Sequence, residues 1–64
     1  MTLTLRDEAR ILSQRTGLRA EACEKWMRQA GLTAVTDLMR RYPGVSHSDC
    51  MIKAGEEIED FILG

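Results

Sequence analysis

Sixty-four residues, 44% of them hydrophobic, are enough for one small core and a single domain over residues 1–64. With only one Trp, one Tyr and one Phe, that core must be built from Leu, Ile, Val, Met and Ala. A chain this short buries only about 60% of its unfolded surface and has little room for a small-molecule pocket of ~300–1,000 Å³, which argues against an enzyme.

The net charge of −1 conceals an asymmetry. Residues 1–45 carry eight Arg or Lys against five acids, whereas residues 46–64 carry Lys53 against Asp49, Glu56, Glu57, Glu59 and Asp60. Two faces of opposite sign either attract each other or serve different partners. Met1–Leu5 lacks a positively charged leader and no apolar run reaches seven residues, so a cytoplasmic setting with reduced cysteines and no membrane contact is expected.

The first helix is predicted from about Leu5 to Arg15, with Thr4 as N-cap, Asp7 and Glu8 favoured in its first turn, and Leu5, Ala9, Leu12 and Ile11 as the apolar set. Gly17 stands where a left-handed C-cap is wanted. The second helix is predicted from about Arg19 to Ala30, stopped by Gly31. Ala22 or Cys23, Trp26, Met27 and Ala30 point inward, and Glu21–Lys25 and Glu24–Arg28 stand at pairing distance on the outer face.

A third helix is predicted over about Thr33 to Arg41, capped by Thr33, with Val35, Leu38, Met39 and Tyr42 apolar; Pro43-Gly44 ends it. After a short loop, Ser48 or Ser46 caps a fourth helix over about Asp49 to Leu63. Its stripe of Met51, Ile52, Ala54, Gly55, Ile58, Phe61 and Ile62 is wide. Gly55 costs about 1 kcal/mol inside a helix, which is tolerable where another backbone packs close. The expectation is an all-α bundle of four short helices. Its last helix either covers the first three or forms a homodimer contact, so the chain is a monomer or a homodimer through the fourth helix.

The stretch Leu12–Met27, LSQRTGLRAEACEKWM, carries two resemblances. Leu12, Arg15, Thr16 and Gly17, followed by Cys23 and Lys25, stand at the spacing of a Leu-x-x-Arg-Thr-Gly run with a Cys and a Lys on the next helix. Over residues 9–41 the chain resembles the ubiquitin-associated-like (UBA-like) three-helix domain at the N-terminus of translation elongation factor Ts. That resemblance implies a non-catalytic protein-binding fold. Its partner surface would join the first turn to the end of the third helix: Thr16, Gly17, Leu18 and Arg19 with Leu38, Arg41 and Tyr42.

The same stretch is also similar to the helix-turn-helix of the MerR and excisionase type. Leu12 is the anchor, Ser13 faces the crossing, Gly17 is the turn glycine, and Trp26, Arg28, Gly31 and Leu32 form the ending. This resemblance implies DNA binding through Arg19, Lys25 and Arg28. Glu21 and Glu24 share that helix and would face phosphates, whose neutralisation supplies most non-specific DNA affinity.

Cys23, His47, Asp49 and Cys50 are the potential metal ligands, but only His47-x-x-Cys50 forms a close pair, and structural zinc wants four ligands. A Cys–His nucleophile built on the same residues lacks an oxyanion site. The expectation is therefore no metal, no cofactor and no catalysis. A protein partner is expected, with a helix-turn-helix DNA-binding regulator as the alternative and a small structural or assembly subunit, for example of phage type, as the third reading.

Overall fold

The computed structural model describes residues 2–64, and among them it holds four α-helices and no strand, an all-α bundle. A capping box opens α1 (Leu5–Thr16). The Thr4 hydroxyl accepts the Asp7 N–H at 3.2 Å, and the Asp7 carboxylate accepts the Thr4 N–H at 3.1 Å. These bonds to Thr4, with Arg10 and Arg6 nearby, hold the Asp7 carboxyl below its ordinary range. Gly17 closes α1 in the left-handed region at φ 77°, its N–H returning to the Ser13 carbonyl at 2.8 Å. Then α2 (Ala20–Ala30) runs to a second left-handed glycine, Gly31, beyond which the Leu32 N–H reaches back to the Met27 carbonyl at 2.8 Å.

The third helix is shorter than the sequence predicts, and Asp37 is the reason. Its carboxylate accepts the Thr33 N–H and hydroxyl, both at 3.0 Å, and the Ala34 N–H at 3.2 Å. These bonds hold Ala34 extended, at φ −149° and ψ 156°, so Thr33 belongs to a loop and caps no helix. The chain then makes a single 3₁₀ turn, Val35–Asp37, and passes into α3 (Leu38–Arg41), one turn long. A side chain that bonds local backbone N–H groups competes directly with helix formation. Ser46, not Ser48, caps α4 (His47–Leu63), its hydroxyl accepting the Asp49 N–H at 3.1 Å.

One cluster of buried apolar residues joins all four helices, and Leu12, Met27, Leu38 and Ile58 at its centre are inaccessible to solvent. Each such side chain contributes about 1.5–3 kcal/mol on burial against about 1 kcal/mol for a helix cap, so packing decides the fold and the caps decide where helices start. Trp26 is 5% exposed and belongs to this core, as its spacing predicts. Of the other predicted apolar-face residues, Leu5, Ile11, Ala30, Tyr42 and Phe61 pack against the core partly buried, whereas Met39, Ile52 and Ile62 are half-exposed or more.

One polar group crosses the core. The Glu8 carboxylate, buried, accepts the Val35 N–H at 2.8 Å and ties the first turn of α1 to the 3₁₀ turn. Glu8→Ala leaves that buried N–H without a partner and should cost about 1–3 kcal/mol. Glu8→Gln keeps an acceptor oxygen and should lose less. Urea midpoints of the two variants check the order, and equal losses would show that the bond is not what matters there.

Glycines 17 and 55 should respond oppositely to a side chain. Gly17→Val places a β-branched residue in the left-handed region and should destabilise by about 1–3 kcal/mol. The neighbour of Gly55 is not a backbone but the Thr16 side chain, and a methyl at Gly55 would meet its Cγ2 at 3.7 Å and its Cβ at 3.8 Å, ordinary contact. Gly55→Ala should therefore stabilise by about 0.5–1 kcal/mol, read from the same denaturation curves; a loss of stability there would contradict the geometry.

Candidate functional site

The turn between α1 and α2 is built from short polar side chains. The Ser13 hydroxyl donates to the Leu18 carbonyl, the Thr16 hydroxyl donates to the Leu12 carbonyl at 2.9 Å, and the Leu18 N–H donates to the Thr16 hydroxyl at 3.3 Å. Leu18 is thereby turned onto the edge of the core, half-buried, while Gly17 and Arg19 stay exposed. Beside this turn runs a groove of about 660 Å³ lined by Gly17, Leu18, Arg19, Glu21, Ala22 and Lys25 on one side and by Phe61 and Ile62 of α4 on the other. Leu18, Ala22, Phe61 and Ile62 make it apolar. Arg19 and Lys25 give it two cations that form no ion pair among the described residues.

The surface implied by the UBA-like resemblance is only partly assembled. Thr16, Gly17, Leu18 and Arg19 stand together, but Leu38 is completely buried and offers a partner nothing. Arg41 is committed elsewhere: its guanidinium takes Glu57 by Nε at 3.2 Å and Nη2 at 2.8 Å, and lies 5.4 Å from the centre of the Trp26 ring and 5.9 Å from that of Tyr42. The Glu57 hydrogen bond favours the charged guanidinium and raises the Arg41 pKa. Tyr42 is half-buried, its hydroxyl enclosed without a hydrogen-bond partner among the described residues. Arg41 lines a second depression with Trp26, Glu57 and Phe61, so Phe61 separates it from the groove beside the turn.

The cations of the helix-turn-helix reading are divided too. Arg28 is held by Glu24 at 2.9 Å, and Glu24, mostly buried, also meets Arg6 at 3.7 Å. Glu24 thus points less outward than its position predicts, and Glu21 and Lys25 do not form the expected ion pair. Both cysteines are buried, and burial pushes the Cys23 thiol up, so it stays neutral near pH 7. His47 is exposed in the first turn of α4. Among the described residues no three His, Cys, Asp or Glu side chains gather as a metal cluster, and no helix is long and apolar enough to cross a membrane.

Phe61 and Ile62 are the groove residues that a reading of the motif alone misses. Their only signal is the width of the α4 stripe, which exceeds what one small bundle can cover. Comparison with protein families, curated proteins and solved structures finds no match for this chain.

The exposed groove cations hold nothing in place, so Arg19→Ala and Lys25→Ala should each leave stability within about 0.5 kcal/mol of the parent. Arg41→Ala should cost about 1 kcal/mol, because it removes both a two-point ion pair and a cation over Trp26. Thermal melts of the three variants check this ordering.

Proposed function

We propose that this chain is a non-catalytic protein-binding module, a small adaptor or regulator of the cytoplasm, and that the groove between the first turn and the end of α4 is its working surface. The observation that carries the reading is the composition of that groove: four apolar side chains left partly open, with Arg19 and Lys25 at their margin. Apolar surface rimmed by polar groups is the usual mark of a protein contact. The charge distribution on α2 favours this over DNA. Its exposed face alternates acids and bases, and Arg28 is already neutralised by Glu24, so few cations are left to displace counterions.

A photo-crosslinking residue at Ala22, within the groove, is compared with one at the exposed Thr36, outside it. In a nuclease-treated extract of the source cells, Ala22 is expected to yield a discrete adduct with a protein other than this chain, and Thr36 is not. Identical adducts from both positions, or none beyond the doubled chain, would overturn the reading. Retention on duplex DNA that survives about 0.15 M salt and is lost in Arg19→Ala would put the helix-turn-helix function in its place.

A further inference from the structure

The same molecule leaves a second surface open, complementary to the first. On α4, Ile52, Glu56, Glu59 and Leu63 succeed one another at i, i+4, i+7 and i+11, which places them on one face of the helix. Ile52 is 60% exposed and Leu63 86%, and Glu56 and Glu59 lie on the solvent side between them. This strip is aliphatic at its ends and acidic between. The groove beside the first turn is aliphatic at its floor and basic at its rim, with Arg19 and Lys25 unpaired among the described residues.

We propose that a second copy of this chain occupies the groove: in a two-fold dimer, each protomer lays the outer strip of its α4 against the groove of the other. The charges select this pairing. Strip against strip would set Glu56 and Glu59 of one copy against the same carboxylates of its partner, and like charges at close range repel. Strip against groove sets them against Arg19 and Lys25. Each chain carries both surfaces, so one two-fold axis makes the contact twice and leaves neither surface over for open-ended growth. The mode is an amphipathic helix seated in an apolar groove. The inference shares its groove with the proposed binding function but requires no other protein.

Sedimentation equilibrium of the 64-residue chain between about 1 μM and 1 mM tests it. The parent is expected to dimerise, with a midpoint that moves to higher concentration as salt rises. Glu56→Lys with Glu59→Lys should give a monomer, and so should Arg19→Glu with Lys25→Glu. An equimolar mixture of these two double variants should dimerise again through both contacts: the basic strip of one meets the acidic groove of the other, and the unaltered acidic strip meets the unaltered basic groove. None of the altered positions is in the core, and far-ultraviolet circular dichroism checks that the variants remain helical. Ile52→Ser with Leu63→Ser, which changes no charge, should weaken dimerisation at least ~10-fold.

A parent that stays monomeric over the whole range overturns the inference, as does a dimer that persists in both charge-reversed variants, or a mixture that remains monomeric. A monomeric parent leaves the groove open, and the foreign adduct from Ala22 is then read on its own terms.

Discussion

Leu18 lies on the edge of the core because its own carbonyl is taken by Ser13 and its N–H by Thr16. The shape of the groove beside the turn depends on that small knot. Gly17 has to turn left-handed so that the chain can reverse within three residues, and the two hydroxyls then decide how the reversed segment sits on α1. The Thr16 methyl lies over Gly55 of α4, so the knot also sets the turn against the last helix. The groove is the space left between this turn, the first half of α2 and the end of α4. A hydroxyl lost at Ser13 or Thr16 therefore acts on the groove through the position of Leu18, without itself lining it.

The cations of this chain sort by what they already hold. Arg6 and Arg28 share Glu24, and Arg41 is fixed between Glu57 and two aromatic rings. Those pairs are partly or largely exposed, so each contributes at most about 1 kcal/mol; their larger effect is to remove three guanidinium groups from competition for a ligand. Arg19 and Lys25 form no ion pair among the described residues and flank the apolar groove beside the turn. Arg15, also free of ion pairs among the described residues, lines the neighbouring depression with Glu56 and Glu59. Opposite signs thus meet along the boundary between the turn and α4, which is what the imbalance between residues 1–45 and 46–64 becomes in three dimensions.

Most helix starts and stops are readable because they rest on contacts three or four residues apart. Thr4, Gly17 and Gly31 act at that range, and Ser46 is one of the two caps the sequence offers for α4. The third helix is the exception, though its cause is equally local: Asp37 draws in the N–H groups of Thr33 and Ala34, a loop-forming use of an acid that apolar spacing does not reveal. Glu8 was invisible for a different reason. Its place in the first turn of α1 suits an acid on dipole grounds alone, and nothing nearby in sequence announces a partner at Val35, 27 residues away. Of the implied partner set, the turn residues were identifiable as a group because they are contiguous. Leu38 could not be assigned, because one face of a one-turn helix serves either core or surface according to how the helix is laid down, and here it is core.

The half-exposed aliphatic side chains are a consequence of size. A core of about a dozen residues is full once Ile58, Ala54, Cys50 and Met51 of α4 are in place, and a helix of 17 residues presents more apolar face than the three elements beneath it can cover. The surplus falls at Ile52, Ile62 and Leu63, and Ile62 lines the groove itself. A second copy and a foreign protein would then compete for one surface. By mass action, the apparent affinity for any foreign partner would fall as the concentration of the chain itself rises, because part of the chain is withdrawn into dimers that cannot bind. Such a module would respond to its own abundance as well as to its partner, through the same two cations and the same apolar floor.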